Sequence, residues 1–142
     1  MSLLLRAALL GLATGSRSTL GIAALAASAD RVHPVLRGAV LLASAGELTG
    51  DKLPQTPSRT EAPGLAARVV LGAVSAALLA RRGGSSAARI AVAATAGSAG
   101  AVVGTYAGAR WRAVAADRFG RDLPGAIAED LAAVTLARYA TT

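Results

Sequence analysis

The chain has 142 residues, 54% of them hydrophobic but only 3% aromatic, with 16 glycines, so it holds one domain with little bulk for a water-soluble core. Its net charge of +7 is the balance of fourteen Arg and one Lys against eight Asp and Glu, and the basic residues mostly flank apolar runs with few aromatic rings beside them, so a nucleic-acid partner is not expected. Zero cysteines exclude disulfides and thiolate metal sites, and a single histidine, His33 before Pro34, makes no metal centre; no cofactor or metal is expected.

Five apolar segments follow in chain order. The first covers about residues 3–29 and is interrupted by Thr14-Gly15-Ser16-Arg17-Ser18-Thr19. A cleaved signal peptide would have an unbroken apolar centre, and Arg17 splits this one. The second covers about 35–49, ended by Gly50 and held off by Pro54. The third covers about 64–80 and stops at Arg81-Arg82-Gly83-Gly84. The fourth, 90–109, has no charge over 20 residues, the length that crosses a bilayer core. The fifth, about 123–139, carries Glu129 and Asp130 inside it, with Asp122 as a candidate N-cap and Pro124 in its first turn. Nearly all-round apolar helices in so short a chain cannot all be hidden from water, because a surface helix presents a polar face. Strands are not expected, since the apolar runs do not alternate and Ala and Gly are poor strand formers.

The expected fold is therefore an all-α integral membrane protein of about five transmembrane helices. It is one membrane domain, 1–142, with a first hairpin at about 3–54, a linking helix at about 64–82 and a second hairpin at about 87–140. Arg17 and Glu47 lie equally far from the turn near position 32, so a hairpin would bring them to one depth. An arginine in lipid requires a partner, and intramembrane charges are candidate functional groups. Gly11-Leu12-Ala13-Thr14-Gly15-Ser16-Arg17 and Gly104-Thr105-Tyr106-Ala107-Gly108-Ala109-Arg110 share the pattern Gly-x-x-x-Gly-x-Arg. Arg110 would then stand level with Glu129 or Asp130 across the turn near Phe119. With one span between the copies, the second is expected to be inverted relative to the first, a plan that recurs in transporters. Glu47 and Asp51 are four apart, one turn on the same helix face, with Lys52 beside them, and could hold a hydrated cation. The glycines Gly11, Gly15, Gly97, Gly100, Gly104 and Gly108 form the expected packing seam, where small residues let helices touch.

The run Glu47-Leu48-Thr49-Gly50-Asp51-Lys52-Leu53-Pro54, followed by a polar link and Arg68 before a Gly/Ala-rich span, resembles the signature of the domain of unknown function 4126 family. The Gly-rich fourth segment ending in Arg110 and the pair Glu129-Asp130 resemble its later blocks. The resemblance covers most of the chain. It implies a small multi-pass membrane protein with Glu47, Asp51, Lys52, Glu129 and Asp130 as charged positions, and it implies no function.

Together these features point to a small transporter or channel for an ion, proton or small polar solute, working through buried Arg/carboxylate pairs. The other reading is a structural or accessory membrane protein whose ion pairs are static and which organises lipid or a larger complex. No Ser/His pair, His cluster or phosphate loop points to an enzyme. The partners expected are the lipid bilayer, a bound ion or small polar solute, and further copies of the chain, because a bundle this thin favours a homo-oligomer. The expected location is the plasma membrane of a bacterium. Eight Arg/Lys against six across five spans favour a cytoplasmic amino terminus and an external carboxyl terminus.

Overall fold

The structure, a computed structural model, describes residues 1–28, 34, 35, 37–40, 42 and 60–142. Among the described residues the chain is helical, with no strand. Five helices have defined bounds: α1 Leu3–Ser16, α2 Leu20–Ala27, α3 Ala62–Arg82, α4 Ala87–Phe119 and α5 Leu123–Thr141. Residues 34, 35, 37–40 and 42 are helical as well. Helices α3 and α4 are long and apolar enough to cross a membrane. At ~1.5 Å per residue, α3 is about 30 Å long, the thickness of a bilayer's hydrocarbon core.

Local chemistry sets the helix ends. The Ser2 hydroxyl caps α1 by accepting from the Leu5 amide at 3.3 Å. Prolines stand in the first turns of α3 and α5, where no amide hydrogen is missed. Gly84 and Gly120 have φ of +68° and +63°, a left-handed backbone that suits glycine, at the turns after α3 and α4.

The path of the first segment differs from a continuous span. Helix α1 stops at Ser16, Arg17 is extended (φ −140°, ψ 112°), and α2 then runs back beside α1. Several contacts fix this direction. A Cβ on Gly21 would overlap the Thr14 hydroxyl. Leu20 and Leu25 pack with Leu10 and Ala13 of α1, and with Leu79 and Ala140 near the carboxyl ends of α3 and α5. The Arg82 guanidinium donates to the Leu25 carbonyl at 2.8 Å. The segment is a helical hairpin whose tip, Arg17 to Thr19, lies deep in the bundle. Gly15 weakens the helix there, and Ser16, Ser18 and Thr19 offer hydroxyls that compete for backbone groups.

Helix α4 is the central element. Its Gly100 and Gly104 face α1 so closely that added Cβ atoms would overlap backbone of Ala8 and Leu12, and on Gly97 an added Cβ would overlap backbone of Gly72 on α3. Gly11 presses on Gly97 in the same way, and Gly15 on Ala101. Gly108, one turn further, is buried. These contacts advance together along both helices, so α1 and α4 run parallel. The two Gly-x-x-x-Gly-x-Arg copies are thus not inverted relative to each other. The cause is the α1–α2 hairpin, which returns to the end it came from. Helix α3 runs antiparallel to α4, with Gly72 against Gly97 and Ala76 packed with Ala93. The seam glycines are consumed inside the protomer.

The bundle is inside-out by the standard of a water-soluble one. Among the described residues the buried hydrophobic ones are alanines and four leucines, while the exposed set includes Val70, Val74 and Leu78 on one stripe of α3 and Ile127, Leu131 and Val134 on one stripe of α5. Arg17, Arg68 and Glu129 are buried. Bulky apolar groups outside, with a few charges buried among small residues, are an arrangement a lipid solvent favours.

Candidate functional site

The buried charges converge on the tip of the α1–α2 hairpin. Arg17 is 1% exposed, and its Nε donates to Asp130 Oδ1 at 2.6 Å. Its Nη2 forms an ion pair with the same oxygen. Arg68, 5% exposed and six residues into α3, donates through Nε to the Ser18 hydroxyl at 3.2 Å. Glu129, 6% exposed, precedes Asp130 on α5. Helix α5 reaches the tip because it runs antiparallel to α1, as the 2.8 Å bond from Arg6 Nε to the Ala140 carbonyl at the other end requires.

The break exposes backbone groups that a continuous helix would satisfy, and the surroundings meet them. The Arg17 amide donates to the Ala13 carbonyl at 2.9 Å, and the Leu20 amide to the Arg17 carbonyl at 3.0 Å. The buried Thr105 hydroxyl lies 3.1 Å from the Gly15 carbonyl and 2.8 Å from the Ala101 carbonyl, so one hydrogen is shared between α1 and α4. The carboxyl end of α1, carrying partial negative charge, points at the Arg17 side of this site.

The two members of the Arg17–Asp130 pair differ in access. The Asp130 side chain is 18% exposed against 1% for Arg17. The carboxylate is the more accessible member of the pair.

Other candidates are placed differently. Arg110 is exposed on α4, and Asp130, one of its two expected partners, bonds to Arg17 instead. The pair that does close the α4–α5 turn is Arg112 with Asp122, at 2.8 Å from Nε to Oδ1, supported by Trp111 Nε1 donating to the Gly125 carbonyl at 2.9 Å. Glu47, Asp51 and Lys52 lie outside the described residues, and with them the expected Arg17–Glu47 pair. Arg68, Ser18 and Thr105 were not among the sequence candidates. Arg68 carries the one available signal, a charge between Ala67 and Val69 inside an apolar run.

Among the described residues no group of three or more His, Cys, Asp or Glu could hold a metal ion. No protein-family model, no curated protein and no solved structure matches the chain, so the reading of its site rests on its own residues and geometry.

Proposed function

We propose that this is a small multi-pass membrane transporter or channel for an ion, proton or small polar solute, in which the α1–α2 hairpin is re-entrant and its tip forms the conducting site. The observation that carries the reading is the charged cluster at a helix break inside an inside-out bundle: Arg17, Arg68 and Glu129 are buried where α1 gives way to α2, with Asp130 bonded to Arg17. Broken helices with buried charges are the recurring construction of solute sites in membrane proteins. Asp130 is the candidate relay, exchanging the Arg17 guanidinium for a cation or a proton, and Arg68 with Ser18 holds the tip in place. Oligomer contacts, if copies associate, fall on the exposed Val and Leu stripes rather than on the glycine seam.

The test is charge movement in proteoliposomes on a solid-supported membrane, under imposed ion and pH gradients, with wild type beside Asp130→Asn and Glu129→Gln. Currents in wild type that disappear in a folded Asp130→Asn protein support the reading and name the ion. No current with any ion or polar solute, from protein that is folded and inserted, favours the static, accessory role.

A further inference from the structure

One end of the bundle holds the amino ends of α1 and α4 and the carboxyl ends of α2, α3 and α5. Arg6, Arg81, Arg82, Arg89 and Arg138 belong to this end. Every acidic side chain among the described residues lies elsewhere: Glu129 and Asp130 at the hairpin tip, Glu61, Asp117 and Asp122 toward the opposite end. Arg6 and Arg82 are tied to the carbonyls of Ala140 and Leu25. Arg89 is exposed in the first turn of α4 and belongs to the wall of a groove.

That groove, about 340 Å³, lies between the first turns of α1 and α4. Leu3, Leu4, Ala88 and Val92 make its apolar wall, and Ser2 and Arg89 supply its polar margin. The two helices run parallel, so both amino ends, with their outward amides, open beside the same groove. Positive charge and oriented amides therefore border an apolar slot that contains no carboxylate. A neutral chain would find the slot but nothing to fix its head; an acyl chain linked to an anionic phosphate satisfies both parts.

We propose that this groove seats an acyl chain of an anionic phospholipid whose phosphate is held by Arg89. The proposal rests on the membrane-embedded reading of the bundle and is independent of what the hairpin tip conducts. Within a bilayer, an acyl chain gains little by exchanging lipid for a protein groove, so the headgroup decides which lipid stays.

The experiment is native mass spectrometry of the purified full chain in mild detergent, titrated with phosphatidylglycerol or with phosphatidylcholine of the same acyl chains. Arg89→Gln removes the phosphate contact, Val92→Trp fills the slot, and Arg121→Gln at the opposite end is the control. Phosphatidylglycerol should bind more tightly than phosphatidylcholine, and Arg89→Gln should weaken it about fivefold. Val92→Trp should abolish retention of either lipid, and Arg121→Gln should change neither. Equal affinity for the two lipids overturns the proposal, as does an unchanged affinity in Arg89→Gln. Displacement of the lipid by glycerol phosphate alone, at equal concentration, would make this a free-phosphate site and overturn it as well. A wild-type chain that stays in the aqueous fraction without detergent, carrying no lipid, overturns the membrane-embedded reading; lost selectivity in a membrane-fractionated chain overturns only the lipid site.

Discussion

Arg17 has no water to turn to, so its guanidinium is bound to Asp130, and the pair should resist separation more than it resists removal. Arg17→Gln leaves the Asp130 carboxylate facing a neutral group in a low-dielectric bundle, which for a buried pair costs about 3–5 kcal/mol. The double change Arg17→Gln with Asp130→Asn leaves no charge behind and should recover part of that loss in thermal melts in detergent. Losses that simply add would mean the two side chains are energetically independent. Two hydroxyls allow a finer comparison. Thr105→Val takes the shared donor from the Gly15 carbonyl and should cost about 1–3 kcal/mol, whereas the buried Ser75 Oγ has no hydrogen-bond partner among the described residues, so Ser75→Ala should be neutral or stabilising. A clear loss for Thr105→Val and none for Ser75→Ala in the same melting assay is the expected result. At this scale the sequence is informative about which residues matter and silent about who meets whom. Arg17, Glu129 and Asp130 stand out because a charge in an apolar run is conspicuous. Their partners depend on the path of the chain, and equal spacing from a turn selects a partner only if the turn is where the chain reverses. Arg17 itself is where it reverses.

At the scale of helices, glycine spacing gives a face but not a direction. Residues three and four apart share a side whichever way the helix runs, so the stripe from Gly97 to Gly108 identifies a packing surface without saying whether its neighbour is parallel. The ends were legible for a related reason: Pro63, Pro124, Gly84 and Gly120 act locally, through φ and the missing amide, and local effects are written in local sequence. The return of α2 was not legible, because it depends on Leu20 and Leu25 packing with Leu79 and Ala140 from helices far along the chain. Two substitutions test the close approaches. Gly97→Val would force a side chain between α3 and α4, where an added Cβ already overlaps the Gly72 carbonyl, and should cost about 2 kcal/mol or more, while Gly83→Ala, with its nearest neighbour at 3.6 Å, should be tolerated. For the hairpin, Gly21→Ala collides with the Thr14 hydroxyl and should destabilise, and adding Thr14→Ala should restore part of the loss. The Ser75 hydroxyl of α3 also stands within 2.7 Å of that Cβ, so absence of any rescue even with Thr14→Ala and Ser75→Ala together would mean that α2 does not lie against α1.

For the molecule as a whole, the hairpin changes the parity of the chain. Five spans place the termini on opposite faces, whereas the bond from Arg6 to the Ala140 carbonyl holds both termini at one end. The α3–α4 turn lies at that same end, since Ala7 of α1 packs with Ala80 and Ala93, and the α4–α5 turn lies at the other. The absence of cysteine makes this directly testable, because any introduced thiol is the only one present. Single-cysteine proteins Ser2→Cys, Ser85→Cys and Thr142→Cys, expressed in intact cells and challenged with a membrane-impermeant maleimide, should behave alike. Arg121→Cys, in the α4–α5 turn, should show the opposite accessibility. Among the described residues six arginines stand at the terminal end, counting Arg37 through its 3.1 Å bond to the Ala26 carbonyl, against Arg110, Arg112, Arg118 and Arg121 toward the other; this balance favours placing the terminal end in the cytoplasm, so the first three should be protected and Arg121→Cys labelled. Protection of Ser2→Cys with labelling of Thr142→Cys would restore an odd number of crossings. The α1–α2 segment would then have to pass through the bilayer, and Arg17 would be a charge along a span rather than at the tip of a re-entrant one. The distinction bears on mechanism. A charge on a continuous span stays in place while neighbouring helices rock, but a hairpin open to one face can shift as a unit and carry Arg17 away from Asp130, which is the movement the proposed transport role would require.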